Sequence, residues 1–395
     1  MNFKIKTDNK SIKEYLFFIG VLLLVIIPKG GFKIAGVPIT WGYLYLGSLF
    51  GLILFSLDVK KHLLSKTHII SYLATLPFVF YLTLNIIFKG YDGTIGNLIA
   101  IFISLVFLPF LFYFFLSPFL KKININYIEN LIYNAVFYVA LYGIFLFIIK
   151  QSTGNYIEIP YFTVNGDETT DIGEKFNNRG GIFKLFSTYN NGNIYGVCTL
   201  MLFPIFNKIN KSRFKTTVVI LAIVLTLSRT AWIGLLFYYI VVYRSNLIKL
   251  VKTYFTFGLL VLLLGSFLFG SLFRYGSMAD FILDANLGGR LIQLKKLNEL
   301  SFFGEYTFKA IEEIVYLSIL KQLGLIGLVL FCLSFFTPIA ILISTRKFNH
   351  YIVGLIVYCF VCFSDGCMIY IPTLAFVYFI STMSLINNSS TNNEN

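Results

Sequence analysis

Charge is scarce in this chain. Only 13% of its 395 residues are charged, 57% are hydrophobic, and the mean hydropathy is +0.79. Those proportions exclude a soluble domain, and apolar runs of roughly 15–25 residues mark a polytopic helical membrane protein. Histidine is scarcer still: His62, His68 and His350 are the only three. All fall on the side read below as cytoplasmic, which excludes a histidine-based metal site or triad on the other face. Acids are few as well, 18 against 32 lysines and arginines, and the first outward connection, 28–39, has none. Of the five cysteines (Cys198, Cys332, Cys359, Cys362 and Cys367), two form a Cys359-x-x-Cys362 pair. With no second pair and no histidine nearby, they read as small buried hydrophobes, and no metal is expected. The first apolar run ends at Pro28-Lys29-Gly30-Gly31 without a small-x-small cleavage site, so it reads as an uncleaved span.

What is present is aromatic and apolar. Phenylalanine and tyrosine make up 44 and 26 residues, many near span ends, as in interfacial belts. The pattern predicts an all-α polytopic membrane protein with about twelve transmembrane helices: 15–27, 40–57, 69–88, 95–120, 127–149, 188–206, 215–228, 230–243, 254–273, 314–343, 351–364 and 369–386. The connections then alternate. One set, from Lys4 to Lys347, holds 18 cations against Asp8, Glu14, Asp58, Glu129 and Glu394. The other holds 13 cations and 13 acids, with Lys321 left inside a span. The positive-inside rule makes the first set cytoplasmic, with both termini inside. The net charge of +14 is thus a topology signal, and no nucleic acid is expected as a partner.

The chain divides into spans 1–5 (1–150), a first large external loop (151–187), spans 6–9 (188–273), a second external loop (274–313), spans 10–12 (314–386) and a disordered cytoplasmic tail (387–395). Loops of this length are functional or disordered as a rule. No internal repeat is visible, nor an inverted pair of broken helices of the kind that marks a secondary transporter.

Within this pattern Leu225–Trp232 stands out as a tight hairpin between two apolar legs. Thr216–Leu227 and Ala231–Tyr243 carry no charge, and Arg229 lies between them. Lys215 precedes Arg229 by 14 residues and Arg244 follows it by 15. Each leg reaches about 21–23 Å, short of a hydrocarbon core of roughly 30 Å. Snorkelling recovers a few ångströms, which leaves Arg229 recessed below the outer surface. A bare guanidinium there costs at least about 2.5–3.5 kcal/mol, so a wet, protein-lined cavity and an anionic partner are expected. The structural alternative is an arginine that reaches the headgroups and caps the hairpin.

Four of the seven arginines (Arg179, Arg229, Arg274 and Arg290) fall on the external side, where cations are normally depleted. Guanidinium groups suit phosphate through paired hydrogen bonds, although ordinary pairing with external acids is as good a reading of any one of them. Glu312-Glu313 opens the tenth span. The pair either favours the helix dipole or supplies a carboxylate base for an acceptor hydroxyl. That span is long enough to require a protrusion, or a bend near Gly324, Gly327 or Pro338. Asn190, Asn191 and Asn193 sit where the chain re-enters the membrane, as helix caps or as ligands for sugar hydroxyls.

These residues resemble a known family. Asn191-Gly192-Asn193-Ile194-Tyr195-Gly196 resembles the N-P-N-x-x-G motif of the O-antigen polymerase/ligase membrane proteins, with Gly192 at the proline. Ser228-Arg229-Thr230, followed by Trp232, resembles their S-R-x-x-W hairpin. Gly289-Arg290 with Phe303-Gly304 resembles their external G-R…(P)-x-x-G segment. The ligase motif H-[NSQ]-x9-G-x-x-[GTY] aligns on Gly324 and Gly327, with Glu313 at the histidine and Ile314 at the amide. The resemblance covers roughly Asn177 to Phe331.

It implies transfer of glycans from undecaprenyl pyrophosphate on the outer face of the bacterial inner membrane, the site facing outward. By resemblance Arg229 and Arg290 hold the donor pyrophosphate and Glu313 deprotonates the attacking hydroxyl, with Arg179, Arg274, Asn190, Asn193 and Glu312 in support. The partners are lipid-linked oligosaccharides, membrane lipids, a chain-length regulator and a flippase; no cofactor is implied. The missing histidine favours a polymerase of O-antigen or capsule repeat units over a ligase. Other classes fit less well. A polyprenyl-phosphate glycosyltransferase would present acids in its first external loop, a lipid-linked sugar flippase would need polar groups along a central path, and an O-acyltransferase would need an embedded histidine. A scaffold would leave a recessed Arg229 unexplained.

Overall fold

The computed structural model describes residues 9–34, 37–56, 65–163, 178–179, 182–272, 301–304, 307–345 and 348–390. It is mostly helical, with about 75% of residues in helices. The described residues form twelve helical stretches, each overlying one predicted span: α1 (Asn9–Val21), α2 (Trp41–Ser56), α3 (Lys66–Lys89, with a turn at Ala74–Thr75), α4 (Ile95–Leu120), α5 (Ile125–Thr153), α6 (Gly192–Ile209), α7 (Arg213–Leu225), α8 (Arg229–Tyr243), α9 (Leu247–Leu272), α10 (Val315–Ser344), α11 (His350–Val361) and α12 (Thr373–Ser390). Four of these, α3, α4, α5 and α10, are long and apolar enough to cross a membrane; α2, α8, α11 and α12 are shorter apolar helices. Two small antiparallel hairpins, β1 (Gly31–Ile34) with β2 (Val37–Thr40) and β3 (Asn178–Arg179) with β4 (Ile182–Phe183), lie in connections.

Packing centres on α6. Its face from Ile194 to Phe206 is buried against α5, α8, α11 and α12. Small residues allow the close approach, as at Gly354 of α11, where a Cβ would lie 2.4 Å from the Met201 carbonyl. Successive helices run between two ends. At one, Glu129 of α5 meets Lys208 and His350; at the other, Asn193 of α6 meets Asp365. These are called the lysine end and the arginine end, the latter for Arg229.

The structure moves several predicted boundaries. α9 begins at Leu247, seven residues before the predicted start, and α12 begins at Thr373, leaving 362–372 as a compact turn. Glu312 and Glu313 do not open α10. The helix starts at Val315, because the Val315 N–H donates to the Cys362 carbonyl (3.1 Å) and the Glu313 carbonyl accepts from the Gly366 N–H (3.1 Å). The two acids are exposed in the preceding loop, so the helix-dipole reading fails.

The predicted bend falls at Gly324, whose φ of 71° breaks α10. A Cβ there would lie 2.3 Å from the Gly304 N and 2.4 Å from the Phe302 carbonyl, and Gly304 too has a positive φ, 77°. Freed amides at the break are used: Leu325 N–H donates to Ser301 O (3.2 Å) and Ile326 N–H to Phe302 O (3.3 Å). Tyr81 and Lys89 of α3 clamp the same loop through Phe303 O (3.3 and 2.5 Å), and the Tyr81 hydroxyl also reaches Leu323 O of α10 (3.0 Å). Two glycine motifs that are separate in the sequence thus meet backbone to backbone.

Candidate functional site

The arginine end is built from turns whose polar groups are satisfied locally. Between α7 and α8 the chain reverses over 226–228, with Leu227 at φ 50°. Thr226 Oγ1 donates to Ile223 O (2.6 Å) and accepts the Ser228 N–H (3.2 Å); Ser228 Oγ caps α8 at Ala231 N–H (3.4 Å). Trp232 Nε1 reaches back to Val224 O at 3.0 Å, which closes the hairpin. Arg229 is the first residue of α8, half-buried, with its Nη1 out of contact with solvent.

The chain entering α6 lies on this hairpin. Leu185 N–H donates to Leu225 O (2.9 Å). Gly192 permits the approach, because a Cβ there would lie 2.9 Å from Leu185 O and 3.1 Å from Thr226 O; at Gly196 it would lie 2.7 Å from Ala231 Cβ. The helix cap is Asn191, whose side chain accepts the Asn193 N–H at 2.8 Å. Asn190 sits beside it at φ 59°, a conformation asparagine tolerates better than most residues. Asn193 is thereby released for other work. Its Nδ2 donates to Asp365 Oδ2 at 2.7 Å.

Asp365 belongs to the 362–372 turn and is 2% exposed. Its Oδ1 accepts from the Cys367 N–H (3.3 Å) and the Cys367 thiol (3.1 Å). Burial, and the Asp365 carboxylate beside it, hold that thiol well above its ordinary range, so it stays protonated and donates. One residue earlier, Ser364 shares a 2.8 Å hydroxyl contact with Thr230 of α8. Gly366 is required here, since a Cβ would lie 2.5 Å from Val315 Cγ2. The turn thus joins the first residues of α6, α8 and α10, and it leads directly into α12. The N-termini of α6, α8 and α10 border the turn that holds this buried carboxylate. Each carries about +0.5 of an elementary charge.

Cations add to that field. Lys184 is 8% exposed, and a Cβ on Gly192 would lie 3.2 Å from its own Cβ. Lys29 Nζ stands 5.9 Å from the ring centre of Tyr370 in the same turn. With Arg229 they bring three cations to this end of the bundle, which also holds Asp365 and the exposed Glu313. Such a junction suits a dianionic group.

Of the residues singled out in the sequence, Arg229, Asn190, Asn193 and Glu313 come together here. Glu312 is exposed beside them, its N–H donating to Ser318 Oγ (2.9 Å). Arg179 lies in β3, paired through its backbone with Ile182. Arg274 and Arg290 lie outside the described residues. Sequence reasoning missed Asp365, Lys184, Lys29, Thr230 and Ser364. A signal for Asp365 existed: it is the single acid between Glu313 and Glu394, in an otherwise apolar stretch. Among the described residues no three potential metal ligands gather. Comparison with family models, curated proteins and solved structures finds no match.

Proposed function

We propose that this chain is a membrane glycosyltransferase of the O-antigen polymerase type, which joins undecaprenyl-pyrophosphate-linked oligosaccharide repeat units into O-antigen or capsular polysaccharide on the outer face of the bacterial inner membrane. The observation that carries the reading is the meeting of the α6, α8 and α10 N-termini at one end of the bundle, which also holds Arg229 and Lys184. Such an arrangement favours a pyrophosphate and, more strongly, the extra charge it gains as it leaves.

In this reading the acceptor hydroxyl oxygen attacks C1 of the donor's reducing-end sugar. The new C–O bond forms as the bond from C1 to the pyrophosphate oxygen breaks. The pyrophosphate leaves with the electron pair, and the hydroxyl proton passes to a carboxylate, assigned to Glu313 at the rim. Arg229 offsets the departing charge, joined by Arg290 from the second large connection. The energy lies in the donor linkage, so no nucleotide is consumed.

The test is the size distribution of surface and lipid-linked glycan in a deletion strain, resolved on a gel. Single repeat units on the normal acceptor, with no ladder, are the expected result. Long lipid-linked chains that never reach their acceptor would replace this reading with a ligase. Repeat units held on the cytoplasmic side would replace it with a transporter.

A further inference from the structure

The turn between α11 and α12 is held firmly, yet it presents one large ring to the outside. Asp365–Met368, Ile371 and Pro372 are buried. The backbone is pinned by Gly366 N–H to Glu313 O (3.1 Å), Tyr370 N–H to Cys367 O (3.1 Å) and Thr373 N–H to Tyr370 O (2.9 Å). Tyr370 is 55% exposed on this support. An aromatic ring fixed on a rigid backbone loses little freedom when a ligand stacks on it.

Its surroundings are polar and specific. Lys29 Nζ lies 5.9 Å from the ring centre. Burial of part of the side chain, with the Asp365 and Glu313 carboxylates nearby, pushes the phenol above its ordinary range. Asp365 in turn holds the Asn193 amide at 2.7 Å. A pyranose has an apolar C–H face and a rim of hydroxyls. An exposed aromatic ring in a turn that also carries Asp365 and adjoins Glu313 and Asn193 complements both.

We infer that Tyr370, with Asp365, Asn193 and Glu313 beside it, is a stacking platform for a sugar ring of the lipid-linked glycan, next to the junction that takes the phosphate. This rests on the proposed function. The competing role for such a ring is an interfacial anchor, which requires bulk and amphipathicity but no stacking partner.

The two roles separate in membrane vesicles carrying the full-length chain and fed lipid-linked repeat units extracted from the deletion strain. Wild-type vesicles that elongate nothing would remove the proposed function, whatever Tyr370 does. Where wild type elongates, Tyr370→Phe and Tyr370→Trp should stay within about threefold of its rate. Tyr370→Leu should raise KM about tenfold, as loss of a stacking contact predicts, with the rate recovering at high substrate and the unfolding temperature unchanged. Tyr370→Met serves the same purpose if the leucine variant accumulates poorly. A wild-type KM in the non-aromatic variants would overturn the platform. So would an equal loss in all four variants, or a fall in kcat alone.

Discussion

The two ends of the bundle each bury a carboxylate, and different groups meet each one. At the lysine end Glu129 is 2% exposed and meets Lys208 Nζ at 2.9 Å, His350 Nε2 at 2.8 Å and the Tyr351 hydroxyl at 3.1 Å. Lys208 and His350 there tie α5, α6 and α11 into one cluster, backed by Lys215 over the rings of Tyr133 and Phe137. At the arginine end Asp365 accepts from an amide, a backbone N–H and a thiol. One end is a lock and the other, in the proposed function, a receptacle. Glu129 ties three helices together through their side chains, whereas Asp365 sits in a turn that borders helix N-termini, where an incoming anion is favoured.

That contrast can be broken by experiment. Glu129→Ala should have the largest effect, about 3–5 kcal/mol off stability, because Lys208 and His350 lose their common partner. Thermal unfolding in detergent measures it, and unchanged unfolding would show that the lock is ornamental. Arg229→Ala should do the reverse, lowering elongation about 100- to 1,000-fold while the unfolding temperature stays near wild type. Should stability collapse with activity, Arg229 is a hairpin cap and the receptacle loses its main cation. Glu313→Gln should cost about 100-fold in rate, as loss of a general base does, with Glu312→Gln close to wild type; equal, mild effects would take Glu313 out of the chemistry. Gly324→Ala should cost more than the about 1–3 kcal/mol of a strained backbone alone, because its Cβ would lie 2.3 Å from Gly304 N and 2.4 Å from Phe302 O. It should show as faster proteolysis at 301–304 with Glu129 contacts intact.

Much of this was legible in the sequence, for local reasons. The helices were found because each apolar run must satisfy its own backbone in a lipid environment. Arg229 was visible as the lone cation between two uncharged legs, and Asn193 as part of a short asparagine cluster at a helix start. What could not be read was non-local. Asn191 rather than Asn190 or Asn193 caps α6, and only the folded turn shows which amide is left over for Asp365. Glu312 and Glu313 looked like a first helical turn, but the 362–366 segment takes the hydrogen bonds that would have started the helix there. Gly304 and Gly324 read as motif letters until the break in α10 showed Gly304 N filling the space a Gly324 side chain would need, and Gln322 the space a Gly304 side chain would need.

That break has a consequence for Arg290. The chain is moored at Ser301, beside Gly324, and Arg290 precedes Ser301 by eleven residues. Fully drawn out, such a tether spans about 36–40 Å. Along α10, Gly324 lies only nine residues from Val315 at the junction, about 14 Å of helix. Covalent length alone therefore does not keep Arg290 from the junction. Gly324, by leaving room for the Phe302 backbone, sets the point from which that length is measured.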